Sequence, residues 1–541
     1  MGQRTEDRRQ KTEALSRLCR VLDKECRAAA HDDLSSVLCP LTSDSRAVRQ
    51  GDTFVAYPGE KTDGRQFIPQ AIAQGANAVI WEAQHFAWDA AWQIPNLAVN
   101  DLRHKAGWLA DAVYGAPSEK LQMIGVTGTN GKTTTSHWIA HALNDAGKKC
   151  ALIGTLGNGF VNALQAGTNT TPDAVRVHGL LADYLHDGAQ AVAMEVSSHA
   201  LAQGRVNGVR FDMALLTNLS RDHLDYHGDM ESYAASKRRL FDWQELKFAV
   251  INLDDAFGAD LAGQLQDAEV EVIGYGLSPL SNFPPQAGER ANEKSAKPSS
   301  DAALQLAERL GMRMVYGHLA EMNGQGLRLD VHSSWGGAQI NSALVGRFNA
   351  ANLLGALAVS LVSGIELGKA VQSLSKVQSV TGRMQRLGGA EQPMVIVDYA
   401  HTPDALEKVL LTLRDVGAPT GGKLICVFGC GGDRDRGKRA MMGLVAGKFS
   451  DHCIVTSDNP RSEDPQRIIA EIVGGMTAKN HEIIVERAAA IERAIGLARP
   501  CDTVLVAGKG HEDYQEINGV KHPFSDVAVA ERTLQAWRAT A

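Results

Sequence analysis

Short apolar runs alternate with longer amphipathic stretches along most of this chain. Runs rich in β-branched residues and bounded by polar, turn-forming residues read as buried strands. Stretches with a 3.6-residue apolar period read as helices packed against them. From LQMIGVTG onward, the strand-like runs QAVAMEVSS, DMALLTNLS and FAVINLDD alternate with helical stretches such as SHWIAHALNDAG. That alternation predicts a mostly parallel sheet with helices on its faces. Ahead of it, DTFVAYPG and NAVIWEA predict strands of a small α/β unit. FNAANLLGALAVSLVSG predicts a helix with inward Ala and Leu faces, and a third α/β series begins near TGRMQRL. The segment 278–300, SPLSNFPPQAGERANEKSAKPSS, is rich in Pro, Ser and charge and reads as a surface insertion. The pattern predicts an α/β chain of three domains: residues 1–102, residues 103–379 with the insertion placed at 278–303, and residues 380–541.

Composition narrows the classes. The 541 residues suit about three domains, and 44% hydrophobic with 22% charged residues is an ordinary globular balance. A formal charge of −7 leaves no electrostatic footprint for nucleic acid, so an anionic ligand must be held by local basic groups. Eight cysteines, at 19, 26, 39, 150, 426, 430, 453 and 501, form no CxxC pair, a reduced usage without disulfide or zinc framework. The charged start MGQRTEDRRQKTEALSRL has no apolar signal core, and no apolar run reaches about 18 residues. A cytoplasmic protein without a membrane span is expected.

The sharpest local signal is GVTGTNGKTTT, residues 125–135, between a strand and a helix. Gly128 and Gly131 let backbone amides of the loop, including those of Thr129 and Asn130, wrap a phosphate. Lys132 can reach the outer phosphates, and the Thr133 hydroxyl, followed by Thr134, can ligate Mg²⁺. The usual spacing wants glycine at 126, where valine stands, so the loop is a variant that still predicts ATP binding. Downstream lie Glu195 at a strand end, His223, and Lys237 on a helix. Singly they read as a capping acid, a hydrogen-bonded imidazole and a solvated lysine beside Arg238 and Arg239. Jointly, beside a phosphate loop, they read as a second divalent-ion site.

In the third series, strand-like runs end in polar residues: Asp398 and His401 after MVIVDYAHTPD, and Arg434 in the loop GCGGDRDRGKR. HCIVTSDNPR ends in Arg461, and TVLVAGKGHED in Lys509, His511 and Glu512. Ligands of open α/β sheets bind outside the carboxyl ends of strands, so a shared cleft is predicted.

GTNGKTT, EVSSHAL, NLSRDHLDYHG, YAASKRRLF, RFNAAN, GRMQ, DYAHTP, GCGGDRDRGKR, DNPR and GKGHE occur in the order found in the Mur ligases, which the chain resembles over most of residues 43–513. That resemblance implies a UDP-binding N-terminal domain, a central P-loop ATPase and a Rossmann-like C-terminal domain acting as an ATP-dependent, amide-forming ligase of peptidoglycan precursor synthesis. Implied partners are ATP with Mg²⁺, UDP-MurNAc-L-Ala-D-Glu and an incoming amino acid, on a monomeric enzyme. The D-Glu carboxylate would take the γ-phosphate of ATP, and the amine would then displace phosphate from the acyl phosphate.

The resemblance assigns roles by position. Lys237 is implied to be carbamylated, becoming an N6-carboxylysine that joins Thr133, Glu195 and His223 around metal. Ser43, Ser45, Asn169, Thr170, Thr171, Ser197, Gln203 and Arg205 match contacts to the UDP-muramoyl peptide. Asn349, Asn352, Arg383 and Asp398 match the nucleotide side. Arg434, the DNPR residues Asp458, Asn459, Pro460 and Arg461, with Gly508 and Glu512, match the amino-acid pocket. DNPR is similar to the branch that adds meso-diaminopimelate, because an arginine fork suits the extra carboxylate that lysine lacks. Two rival readings are a folylpolyglutamate synthetase-like ligase, lacking the N-terminal unit and DNPR, and a nucleotide-gated binding protein.

Overall fold

The computed structural model describes residues 40–537 apart from 61, 168, 267, 278–310, 390 and 418–420, together with residues 13, 16, 17, 20 and 21. The expected insertion at 278–303 lies outside the described residues. Apolar runs form the strands as expected, and alternate side chains along them feed two faces.

The first sheet is parallel in chain order: β1 (Leu41–Thr42), β2 (Thr53–Ala56), β3 (Ala78–Glu82) and β4 (Asn96–Val99). The helix Leu102–Val113 follows, and its Leu102, Ala106, Leu109 and Ala110, spaced at helical period, pack with Val55, Ile80 and Val99. We therefore propose that the first unit extends through this helix rather than ending at 102.

The central sheet contains β5 (Gln122–Thr127), β6 (Cys150–Gly154), β7 (Gly157–Phe160), β8 (Ala163–Gln165), β9 (Ala191–Glu195) and β10 (Met213–Leu216). It continues with β11 (Phe248–Asn252), β12 (Glu271–Gly276), β13 (Arg313–Asn323), β14 (Gly326–Ser333) and β15 (Gly336–Ser342). Their spatial order is β15-β14-β13-β12-β11-β10-β5-β9-β6-β7-β8. Pairing is parallel from β6 to β13, with antiparallel edges at β13–β14–β15 and β6–β7–β8. One face buries Ile124, Val126, Leu152 and Leu215. The other buries Met123, Ala151, Leu216 and Ile251, the period-2 alternation of a sheet covered on both sides. Each fully buried aliphatic side chain contributes about 1.5–3 kcal/mol. The helix Arg347–Val362 is buried around most of its surface and packs in the first of these cores, as its Ala- and Leu-rich run predicts.

The third sheet holds β16 (Gln385–Gly388), β17 (Met394–Asp398), β18 (Leu424–Phe428), β19 (His452–Val455), β20 (His481–Ile483) and β21 (Thr503–Ala507). Its order is β16-β17-β21-β18-β19-β20, parallel except at β16. Neighbouring β17, β21, β18 and β19 thus open their carboxyl ends on one edge, bringing the four predicted strand ends together. A hairpin of β22 (Tyr514–Ile517) and β23 (Val520–Pro523) follows. Its Asn518-Gly519 turn has φ of 50° and 78°, the conformation that Asn-Gly favours in tight hairpins. Among the described residues, no helix is long and apolar enough to cross a membrane.

Candidate active site

β5 delivers the phosphate loop, and the helix Lys132–Asp145 begins immediately after it, so amides at the helix N-terminus face the loop. Gly128 adopts φ 143°, and a β-carbon there would sit 1.9 Å from Thr217 Oγ1. The ammonium of Lys132 donates to the carbonyl oxygens of Gly128 and Thr129 at 2.8 and 3.0 Å. Lys237 Nζ donates to the same Gly128 oxygen at 2.9 Å and lies 4.5 Å from the Tyr233 ring centre. Its side chain is 1% exposed, which removes the solvated-surface reading. Burial, then the neighbouring Lys132, hold the Lys237 ammonium well below its ordinary value.

Glu195 ends β9 fully buried, its carboxylate accepting hydrogen bonds from Thr133 Oγ1 at 2.9 Å and from Thr155 N and Oγ1 at 2.8 and 3.0 Å. Gly154 makes room for it: a β-carbon there would lie 2.2 Å from Glu195 Oε1. His223 begins the short helix Leu224–His227 at φ 55°, 3.4 Å from Asp222 and in ring contact with His199 and Tyr233. Burial and, secondarily, Lys132 keep its imidazole below its ordinary range against the pull of Asp222.

A cavity of about 420 Å³ opens between the central and third sheets. Asn130, Gly131 and Thr134 of the phosphate loop line one side, and Asn349, Asn352, Arg383 and Asp398 line it too. These are the four residues expected on the nucleotide side. Arg383 reaches Thr133 Oγ1 at 3.5 Å and lays its guanidinium 4.2 Å over the Tyr399 ring. Asp398 accepts from the amides of Met384 and Ala400 at 2.7 and 2.8 Å, so it shapes the strand end and lies against the cavity. Burial raises its carboxyl above the ordinary range. Tyr399, Arg347 and Lys408 also line this cavity and had not been singled out from the sequence.

Toward the first sheet, Thr171 Oγ1 donates to the Glu195 carbonyl at 2.8 Å and accepts from Ser197 N at 3.1 Å. The Thr170 and Thr155 hydroxyl oxygens lie 3.0 Å apart. Arg205 donates to Gln203 Oε1 at 2.7 Å and to the Thr171 carbonyl at 3.0 Å. Gln203 in turn donates to Glu60 at 2.5 Å, tying the two units. Ser45 donates to Gln70 at 3.2 Å, and Ser43 hydrogen-bonds Tyr57. Asn169 is exposed near this group.

At the third sheet's edge, Lys509 is fully buried and donates to Asn459 Oδ1 at 2.9 Å and Glu512 Oε2 at 3.1 Å. Asn459 Nδ2 donates to the same Glu512 oxygen at 2.8 Å. Asp458 lies 3.5 Å from Lys509, and a β-carbon on Gly508 would come within 2.9 Å of its carboxylate. Arg461 is half-buried at φ 50° and donates from Nη1 to the Gly432 carbonyl at 2.7 Å. A β-carbon on Gly431 would stand 2.8 Å from Arg461 Nη1 and 3.8 Å from Arg434 Cγ, so both guanidinium side chains flank this loop. Pro460 carries the chain between Asn459 and Arg461.

These two loops are laced together. Gly432 N donates to the Asn459 carbonyl at 2.9 Å, and Ser462 Oγ donates to Asp433 at 2.7 Å. Fully buried Arg439 donates to Glu463 and Glu471 at 2.7 and 2.8 Å.

Three Mur ligase family profiles match the chain in order. The catalytic domain covers residues 40–114, the middle domain 126–360 and the glutamate ligase domain 382–510. A UDP-N-acetylmuramoyl-L-alanyl-D-glutamate--2,6-diaminopimelate ligase of Chromobacterium violaceum is 52% identical over 496 residues, 92% of this chain and 94% of that one. The chain belongs to the Mur ligase family.

A relative of the same name from Pseudomonas aeruginosa is 48% identical over 92% of this Mur ligase and 95% of its own length. A solved structure titled as this same ligase superposes with a TM-score of 0.60 at 37% identity, covering 92% of this chain and 94% of that one. The N-terminal match at 40–114 runs against the folylpolyglutamate synthetase-like alternative, which lacks such a unit.

The donor chemistry suits Mg²⁺. Thr133 Oγ1 and Glu195 Oε2 are hard oxygen donors in mutual contact. Among the described residues, no group of three or more His, Cys, Asp or Glu stands together as a metal shell. Sequence reasoning missed Thr155 and Gly154, which shape Glu195. No motif marks either, since their role arises only where β6 lies beside β9. It also missed the hairpin β22–β23, which Asn-Gly between alternating residues could have signalled.

Proposed function

We propose that this chain is an ATP-dependent ligase that adds meso-diaminopimelate to UDP-MurNAc-L-Ala-D-Glu in cytoplasmic peptidoglycan precursor synthesis. The observation that carries the reading is near-full-length identity, 52% over 92% of the chain, to a relative named for this reaction. The cavity supports it, since phosphate-loop residues and C-terminal strand-end residues line the same space.

In this reading the triphosphate lies along the loop 128–134, with the base toward Asn349, Asn352, Arg383 and Asp398. Lys132 leaves its loop carbonyls to pair with the outer phosphates. Mg²⁺ held by Thr133 and Glu195, with His223 and carbamylated Lys237 completing the protein side, would neutralise charge as the γ-phosphoryl moves. Thr155 and Gly154 keep the Glu195 carboxylate aimed at that position.

Lys237 suits carbamylation physically. Its buried amine loses its proton easily, and a neutral amine can take up carbon dioxide. The product is an anion beside Lys132, so repulsion between two cations becomes attraction.

The dipeptide nucleotide spans Ser43, Ser45, Asn169, Thr170, Thr171, Ser197, Gln203 and Arg205, bringing its D-Glu carboxylate to the γ-phosphate. The acyl phosphate formed there is attacked by the amine of meso-diaminopimelate, and phosphate departs. Arg434, Asp458, Asn459, Arg461, Gly508 and Glu512 hold the far end of the amino acid. Arg461 selects its distal carboxylate, which a lysine substrate does not offer.

Phosphate release from ATP tests this directly, with the UDP-dipeptide and meso-diaminopimelate, lysine or no amino acid. Strong stimulation by meso-diaminopimelate alone is expected. Release that ignores every amino acid would refute the ligase reading and favour a nucleotide-gated binding protein.

A further inference from the structure

Arg461 is not a free guanidinium at the end of a turn. Its backbone N–H donates to the Glu516 carbonyl at 3.0 Å, and its own carbonyl accepts from Asn518 N at 2.7 Å. The two bonds form a parallel bridge between Arg461 and β22, centred on Ile517. This isolated bridge ties β22 to the DNPR segment at Arg461 and supports its positive φ, a conformation seldom adopted without such support.

Glu516 is the centre of this clamp. Its N–H donates to Asn459 Oδ1 at 3.0 Å, its carbonyl takes the Arg461 N–H, and its carboxylate lies 3.3 Å from Arg461 Nε. The neighbouring Gln515 donates to the Asp458 carbonyl at 2.6 Å. The hairpin therefore touches Asp458, Asn459 and Arg461 from one side. On the other side the glycine loop takes Arg461 Nη1 at Gly432.

A guanidinium carries five N–H groups in a plane. Nε lies 3.3 Å from the Glu516 carboxylate as an ion pair, and one Nη1–H is spent on Gly432. The remaining N–H groups leave the Nη edge for an end-on carboxylate, the bidentate geometry that distinguishes arginine from a point charge. An arginine side chain has four rotatable bonds and considerable rotamer entropy. Anchoring Nε before substrate arrives removes much of the ordering that binding would otherwise require.

We propose that Glu516 is a positioning residue for acceptor recognition, locking Arg461 through Nε so that its Nη edge meets the distal carboxylate of the amino acid. The inference rests on the ligase reading above and deepens it. Glu516 touches neither the nucleotide cavity nor the phosphate loop, so its effect falls on the amino acid alone.

The test is steady-state phosphate release by Glu516→Ala and Glu516→Gln in the full chain, with each substrate varied in turn. Glu516→Ala should raise KM for meso-diaminopimelate about tenfold, with kcat and both nucleotide KM values within about twofold. Glu516→Gln keeps an acceptor for Nε and the same backbone contacts, and should recover most of that loss. The ratio of kcat/KM for meso-diaminopimelate over lysine should fall in the alanine variant. Thermal unfolding of both variants controls for the fold.

A meso-diaminopimelate KM within twofold of wild type in Glu516→Ala overturns the inference while leaving the ligase reading standing. So does an equal rise in the KM for ATP, which would mark a merely structural role. A wild-type protein that shows no turnover with meso-diaminopimelate overturns the ligase reading itself.

Discussion

Replacing Asp111 by asparagine isolates one buried carboxyl where the helix of the first unit meets the helix Ala174–His186. Asp111 Oδ1 lies 3.6 Å from His178 Nδ1, and neither atom has a hydrogen-bond partner among the described residues. His178 Nε2 meets the Asn207 carbonyl at 2.9 Å, and burial pushes the imidazole down to about 4. The ring is therefore neutral near pH 7, donating from Nε2 and leaving Nδ1 as an acceptor. An ionised carboxylate opposite it also offers only acceptors.

Burial raises the Asp111 carboxyl from 3.8 to about 6, with Arg17 and Arg210 opposing the rise and Glu119 adding to it. Each tenfold change in proton affinity is worth about 1.36 kcal/mol, so the ionised group costs the native state up to about 3 kcal/mol. The side chain keeps 15% exposure, and the solvent screening this allows brings the expected figure to about 1–2 kcal/mol.

Below pH 3.8 the carboxyl is protonated in folded and unfolded chains alike, and it contributes no difference. As pH rises toward about 6 the unfolded chain ionises first; the native state holds the extra proton and stability falls. Above that range the loss is complete. Asp111→Asn abolishes the titration, and its amide can donate to His178 Nδ1 as the protonated acid does. Calorimetric unfolding of both proteins at pH 4.5 and pH 8 reads the effect. The gap should be smaller at the lower pH, where about a third of the loss has already developed, and wider at pH 8, with the variant unfolding a few degrees higher there. An equal gap at both pH values, or a less stable variant at pH 8, would refute the reasoning.

Other substitutions probe the reaction. Gly154→Ala would push a methyl group into Glu195 Oε1, 2.2 Å from the β-carbon position, and should cut turnover by about 10² or more. Retained activity would show that Glu195 is not held for the metal. Lys237→Ala should abolish ligation, and bicarbonate depletion should lower wild-type activity reversibly; wild type untouched by depletion argues against the carbamate. Arg461→Ala should cost about 2–5 kcal/mol in kcat/KM for meso-diaminopimelate, with ATP affinity changed little. Comparable losses in both, read by nucleotide titration, would point to a structural role.

Much of the site was legible because its chemistry is local. GTNGKTT carries loop, lysine and hydroxyl within seven consecutive residues, and the strand and helix around it follow from the same short window. The apolar runs before Asp398, Arg461 and Glu512 marked strand ends, and parallel pairing of β17, β21, β18 and β19 brought those ends to one edge. The ordered motifs then made the family readable. Lys237 taken by itself carries no such local signal. Two arginines follow it in sequence, yet helical rotation turns Lys237 inward to the phosphate loop while its neighbours face elsewhere.

The sequence by itself determined which segments become strands and helices, and which of them end in groups able to hold phosphate, metal or carboxylate. Apolar period and turn chemistry act over a few residues, so a linear reading captures them. Tertiary structure alone decided how those groups are aimed. Thr155 reaches Glu195 across 40 residues, Ser462 reaches Asp433 across 29, and Asp111 meets His178 between two units. Glu516 is an ordinary hairpin glutamate until β22 is laid beside DNPR. Such partners are matched by distance in the folded chain, which no local pattern encodes, and each buried polar group must find them or bear the cost of desolvation.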